Sequence, residues 1–272
     1  MTQVAAVQMA SGPSVGANLL EAERLIAEAA AGGARLLVLP ENFALMAMHE
    51  ADKLAVAEKP GEGEIQDFLS RQARRHHVWI VGGTIPMVCA REGHVRAASL
   101  LYDDRGECVA RYDKIHLFDV HLAENGENYT ESETIDPGDE VVVVDTPVAR
   151  LGIAVCYDLR FPELFRAMVD QGVELVAVPS AFTAITGKAH WDTLVRARAI
   201  ENLSYVVAAA QGGYHASGRH TYGGSMIVEP WGMVLDRLDS GPGVVRGEID
   251  RVRLEGTRRS FPTLEHRRLH CR

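Results

Sequence analysis

The chain has 272 residues, 47% hydrophobic and 24% charged, enough for one large soluble domain or two modest ones with a full core. Its net charge of −9 leaves no basic footprint for nucleic acid or an anionic membrane, although a local Arg or Lys can still dominate a cleft for an anionic substrate. The opening MTQVAAVQMAS lacks signal-peptide features, no apolar run approaches a membrane span, and four irregularly spaced cysteines (Cys89, Cys108, Cys156, Cys271) suit reduced thiols, so a cytoplasmic protein is expected.

In chain order, QVAAVQM (3–9) predicts a short buried strand. NLLEAERLIAEAAAGG carries Leu19, Ala22, Ile26 and Ala29 at helical spacing, with Asn18 as N-cap, Glu21 three residues on and Gly32–Gly33 as the stop. ARLLVLPENF is a continuous apolar run, the pattern of a strand covered on both faces. An amphipathic segment spans 64–76, followed by strands VWIVGGTIP, AASLLYD and ECVARYDKIHL. Residues 123–140 are acidic, have no apolar period and predict a long surface loop.

The second half begins with strand ARLGIAVCYD and helix FPELFRAMVDQG, with Pro162 in the first turn and Gly172 at the end. Strand VELVAVPSAF follows, then helix AHWDTLVRARAIEN, in which Arg196 and Arg198 read as structural, and strands SYVVAAAQ, GGSMIVEP and VVRGEID. From about residue 256 the chain turns basic and polar, an arm for solvent or for a partner subunit. No low-complexity linker interrupts it, so residues 1–272 read as one α/β domain. GGARLLVLPENF and QGVELVAVPSAF each carry a glycine, an apolar strand and Pro-x-x-Phe, which suggests two related strand–helix–strand halves.

Reactive side chains in α/β sheets gather where strands end, and those positions hold Glu41, Lys114 and Cys156. Taken singly, the Glu and Lys read as solvated edge charges and the Cys as inert packing. Together they have complementary roles: Glu41 takes the thiol proton, Lys114 holds an oxyanion, and the Tyr157 N–H is a second oxyanion donor. That set is acyl-transfer chemistry. Phosphate-binding, dinucleotide-binding and serine-hydrolase motifs are missing from the sequence. The histidines, including His76–His77, His116 with His121, and His215 with His220, show no metal-binding spacing, so no metal is expected. A Cys–His dyad using His116 or His190 has no local signal.

The segments LLVLPENF, YDKIHLFDV and VCYDLRFPEL resemble, in order and separation, the three signature segments of the nitrilase, or carbon–nitrogen hydrolase, superfamily. The resemblance runs over almost the whole chain. It implies a four-layer α-β-β-α sandwich and a catalytic Glu41, Lys114 and Cys156, with YTES placing a further glutamate on Glu131 to position Lys114; Glu124 and Glu127 are its neighbours in sequence. PSAFTAITGKAHWDTLVRARAIENLSYVVAAAQ and RRSFPTLEHRR look like the deaminated-glutathione amidase branch, while the longer acidic HLAENGENYTES departs from it. The resemblance thus implies an amidase acting on an α-keto-acid amide through a thioester, without cofactor, and usually a homodimer or larger assembly. An ω-amidase acting on α-ketoglutaramate, a nitrilase, a carbamoylase and a catalytically silent scaffold are the alternatives. For a substrate carboxylate the resemblance to carbamoylases points to Arg160, whose other reading is a salt bridge to Glu163 or Asp158; His190 and Trp191 are placed at the pocket border.

Overall fold

The computed structural model describes residues 1–122 and 126–269, so Glu124 and Cys271 lie outside the described residues. Strand β1 (Thr2–Gln8) leads through α1 (Val15–Ala31) to β2 (Leu36–Val38), and a short helix α2 (Asp52–Ala55) precedes α3 (Glu64–His76). Strands β3 (Trp79–Val81), β4 (Ile85–Val88), β5 (Val95–Tyr102) and β6 (Cys108–Asp113) complete the first half, and a hairpin of β7 (Asp119–Leu122) and β8 (Glu127–Thr130) follows. The second half runs β9 (Val143–Asp145), β10 (Arg150–Ile153), α4 (Pro162–Asp170), β11 (Leu175–Ser180), α5 (Ala184–Asn202) and β12 (Tyr205–Ala210). A second hairpin, β13 (Gly212–Tyr214) with β14 (His220–Tyr222), precedes β15 (Ser225–Val228), β16 (Val234–Leu238), β17 (Gly243–Ile249) and α6 (Arg251–Ser260).

One sheet has the order β17-β1-β2-β3-β5-β4 with β6 on β5, and the other has the order β16-β15-β12-β11-β10-β9. The two strand–helix–strand units are both parallel, with Val4 opposite Leu36 in one and Leu151 opposite Leu175 in the other. Alternation along β1 and β2 explains the layering. Val4, Ala6, Leu36 and Val38 face the second sheet and pack with Ile153, Ala177 and Val207, in one core with Phe165 of α4 and Trp191 of α5. Ala5, Val7 and Leu37 face the other way, onto Leu25 and Ile26 of α1 and Phe68 and Leu69 of α3. The result is the α-β-β-α sandwich of two related halves. No described helix is long and apolar enough to cross a membrane.

Four local expectations change. Helix α1 starts at Val15, capped by Ser14, whose hydroxyl accepts from the Ala17 N–H. Asn18 is instead buried; its amide donates to the carbonyls of Gly12 and Ala44, each at 2.8 Å, and accepts from the Gly12 N–H. Tertiary acceptors thus outcompete a local cap, and they tie α1 to the chain after Glu41. Helix α5 begins at Ala184, five residues before the predicted start, because the Thr183 hydroxyl caps it by accepting from Thr186 N–H.

The described part of 123–140 is more than a surface loop: Glu127–Thr130 pairs in the hairpin, and Ile135 is 1% exposed and bridged to Val95. Finally, α6 runs through residue 256, so the arm begins inside a helix. Arg258 of that helix donates to the carbonyls of Val173 and Leu203, and Arg267 pairs with Asp170.

The loop after β2 is shaped by a close approach. Gly83 has φ +56°, and a Cβ there would lie 2.1 Å from the Pro40 carbonyl oxygen, so only glycine lets the two turns meet. Beside it the Asn42 N–H donates to Thr84 Oγ1 at 2.9 Å. This contact fixes the loop that carries Glu41.

Candidate active site

Glu41 lies three residues past β2, Lys114 directly after β6, Cys156 three residues past β10, and Glu131 in the 3-10 turn after β8. The fold brings all four to the wall of one cavity of about 470 Å³. Lys114 is 1% exposed. Its Nζ donates to Glu41 Oε1 at 2.8 Å and to both Glu131 carboxylate oxygens at 2.8 and 2.9 Å. Glu131 also accepts the Phe118 N–H at 2.7 Å. A fully buried ammonium is tolerable only with such pairing. Glu41 is held from its backbone side too, where its carbonyl accepts from Gln211 Nε2 at 3.1 Å.

Burial alone would lower the Lys114 pKa, but the charges of Glu131, Glu41 and Cys156 outweigh it and hold the ammonium well above its ordinary range. For Glu131, burial works upward, and the Lys114 and Lys53 charges with the Phe118 N–H bring the carboxyl below its ordinary value of 4.5. The two shifts set the pH range of stability. A depressed carboxyl contributes stability above its unfolded pKa, and that contribution disappears as pH falls through the folded pKa. A raised ammonium contributes below its unfolded pKa and loses that as pH rises through the folded value. Stability is therefore expected to be flat through neutrality and to fall on the acid side below about pH 4.5. Glu131→Gln should flatten part of that acid limb in urea titrations; an unchanged limb would remove Glu131 from the network.

Cys156 is 7% exposed and has φ +48°, a strained conformation for a residue with a Cβ. What holds it is Asp158, wholly buried. Its carboxylate accepts from the Val155 N–H at 2.8 Å, the Tyr112 hydroxyl at 2.7 Å and the His116 N–H at 3.2 Å, and contacts His116 Nδ1 at 2.6 Å. Arg198 clamps the far side of the turn, donating twice to the Leu159 carbonyl. Cys156 Sγ accepts from the Ala181 N–H at 3.5 Å. Burial and then the Glu41 charge push the thiol well above its ordinary range, against the pull of Lys114 and that N–H. The sulfur therefore rests as a thiol and needs a base at the moment of reaction.

Tyr157 and Arg160 line the cavity. The Arg160 guanidinium lies over the rings of Phe182 and Tyr157, at 5.2 and 5.7 Å, and forms no carboxylate pair among the described residues. His190 is exposed and is not part of the cavity wall; its Nδ1 is 3.3 Å from Arg160 Nη1, so it borders the site through that residue alone. Trp191 is fully buried, donating to the Gly224 carbonyl at 2.7 Å, and belongs to the core. His116 is spent on Asp158 and stacks on Phe161 at 3.7 Å, which leaves a Cys–His dyad without a base.

Lys53, Tyr129 and Arg219 also line the cavity and have no sequence signal, because tertiary packing alone brings α2 and the two hairpins over the strand ends. Cys89, Cys108 and Cys156 are free thiols. Among the described residues no three His, Cys, Asp or Glu side chains could hold a metal ion.

The family described as carbon-nitrogen hydrolase matches residues 3–259. The deaminated glutathione amidase of Yersinia enterocolitica is 43% identical over 267 residues, 97% of this chain and 92% of that protein. The crystal structure of the C. elegans NitFhit protein superposes with a TM-score of 0.91 at 36% identity, covering 98% of this chain and 65% of that one. Saccharomyces cerevisiae Nit3, a member of branch 10 of the nitrilase superfamily, gives 0.88 at 31% identity, with 98% and 97% covered.

Proposed function

The chain belongs to the carbon–nitrogen hydrolase family and is an amide-cleaving hydrolase, and from that premise we propose a Cys156 thioester mechanism with deaminated glutathione as substrate. The observation that carries the mechanism is the Lys114 ammonium within 3 Å of both Glu41 and Glu131 on the wall that also holds Cys156. Cys156 Sγ attacks the amide carbonyl as its proton passes to the Glu41 carboxylate. The oxyanion is met by Lys114 Nζ and the Tyr157 N–H. Glu41 gives the proton to the amine nitrogen, the C–N bond breaks, and the acyl group stays on sulfur. Water then loses a proton to Glu41 as it attacks the thioester; the acid is released, and the proton returns to the thiol. Glu131, bound to both Lys114 Nζ and the Phe118 N–H, positions the ammonium.

The substrate reading rests on the names of the similar proteins. Deaminated glutathione is an α-keto acid amide with a carboxylate on its acyl arm and another at the end of its dipeptide arm. Arg160, free of a carboxylate partner among the described residues, suits one of these as a bidentate donor. The expected result in a product assay is release of keto acid and cysteinylglycine at a kcat/KM at least about tenfold above α-ketoglutaramate, nitriles and carbamoyl amino acids, the step of roughly 1.4 kcal/mol that one added contact provides. Faster turnover of α-ketoglutaramate would make the enzyme an ω-amidase instead, and no turnover with any of the panel would leave a silent scaffold.

The unit is read as one catalytic domain over residues 1–272, cytoplasmic, cofactor-free and homodimeric. Exposed apolar side chains, Trp231 and Phe261 meeting edge-on at 5.2 Å with Ile200 against Gly232, support the dimer.

A further inference from the structure

Arg219 is placed on the cavity wall by a turn that nothing in the chemistry above uses. The turn joins β13 to β14 and is fixed at several points. The buried His215 ring bridges the Ser11 carbonyl at 2.8 Å and Thr221 Oγ1 at 2.7 Å, and the His215 N–H donates to the Arg219 carbonyl at 2.9 Å. Thr221 bridges to Thr183, and the Tyr222 N–H donates to the Phe182 carbonyl. The guanidinium is therefore presented from a rigid support. Its Nη2 donates to the Ala181 carbonyl at 2.6 Å, and it lies 5.2 Å over the Tyr129 ring. Ala181 is the residue whose own N–H meets Cys156 Sγ, so one residue contacts both the cation and the sulfur. Among the described residues no carboxylate pairs with Arg219, and its Nε is buried with no hydrogen-bond partner. The residue nevertheless lines the cavity as a cation without a counter-charge, and an incoming carboxylate would supply one.

The side on which Arg219 sits is set by its supports. Gln211, directly before β13, donates to both Ser11 Oγ and the Glu41 carbonyl, which fastens this hairpin to the Glu41 loop. Arg160 belongs to the turn that leaves Cys156 and packs over Phe182 toward His190 of α5. In the proposed reaction the departing amine takes its proton from Glu41. Arg160 and Arg219 are thus two guanidiniums without a carboxylate partner among the described residues on one cavity wall, and deaminated glutathione carries two carboxylates, one of them on its amine arm.

We propose that Arg219 is a specificity-determining residue that binds the carboxylate at the end of the leaving amine arm, so that the enzyme selects amides of carboxylate-bearing amines over primary amides. This rests on the amidase reading above. The test compares deaminated glutathione with its analogue carrying a terminal carboxamide, in wild type, Arg219→Met, Arg219→Lys and Arg160→Met. Wild type is expected to favour the carboxylate about 10- to 100-fold in kcat/KM, the range of a charge-assisted hydrogen-bonded pair. Arg219→Met should erase that ratio. Arg219→Lys, which keeps the charge without the fork, should retain part of it and guards against a loss caused by misfolding. Arg160→Met should keep the ratio while lowering both rates.

A ratio near one in wild type, or a ratio kept by Arg219→Met, overturns the proposal, as does a ratio erased by Arg160→Met. If wild type cleaves neither compound and also leaves α-ketoglutaramate intact, the amidase reading itself has failed, an outcome distinct from loss of the preference.

Discussion

Replacing Cys156 with alanine is expected to lower amide hydrolysis by about 10⁴-fold or more, since a covalent mechanism has no substitute for its nucleophile. The protein should remain folded. The sulfur accepts a long hydrogen bond from the Ala181 N–H at 3.5 Å and lies beside Glu41, and alanine fits the φ of +48° no worse than cysteine. The turn itself is held by Asp158 and Arg198, which the substitution leaves in place. A melting temperature close to wild type, with turnover lost, is the expected pair of results. Turnover within tenfold of wild type would remove Cys156 from the chemistry.

Lys114→Met should damage both activity and stability. Loss of an oxyanion donor costs on the order of 10²–10³ in kcat. The substitution also leaves Glu41 and Glu131, which both bind Nζ at 2.8 Å, without their counter-charge. Removing one partner of a buried ion pair costs about 3–5 kcal/mol. The deficit should depend on pH. Glu131 loses the charge that chiefly holds its carboxyl down, so its ionised form is no longer favoured on folding. The deficit is then largest above the ordinary carboxylate range and shrinks as pH falls and the group protonates. Urea titrations at pH 7 and pH 5 would show it; a variant as stable as wild type at both would contradict the pairing.

Much of this arrangement is legible in the sequence, for a definite reason. Glu41, Lys114 and Cys156 each follow a strand by a few residues: Glu41 and Cys156 follow the parallel strands β2 and β10 of the two related halves, and Lys114 follows β6, which runs antiparallel to β5. Three reactive groups at three such ends therefore meet. Glu131 is reachable only by family resemblance, because its role depends on a 3-10 turn that brings it onto Lys114.

The β7–β8 hairpin leaves no trace in the pattern because its residues alternate between exposed and half-buried, with no buried apolar face to mark the period. Arg219 gives no signal, since its position comes from His215, Gln211 and Ser11 acting across some 200 residues of chain. Asn18 reads as a cap because a short polar side chain before a helix satisfies a local rule and a tertiary one equally well. His190 reads as a pocket residue on sequence neighbourhood, whereas the helix turns it toward solvent.

The central claim is that acyl transfer passes through sulfur. Intact-protein mass spectrometry of acid-quenched mixtures of enzyme and deaminated glutathione tests it most directly, with Glu41→Gln included to slow hydrolysis of the intermediate. A mass increase equal to the keto-acyl group, mapped to the peptide containing Cys156 and absent from Cys156→Ala, is the predicted result. Product formation with no adduct on Cys156 in either the wild type or the Glu41→Gln protein would contradict it.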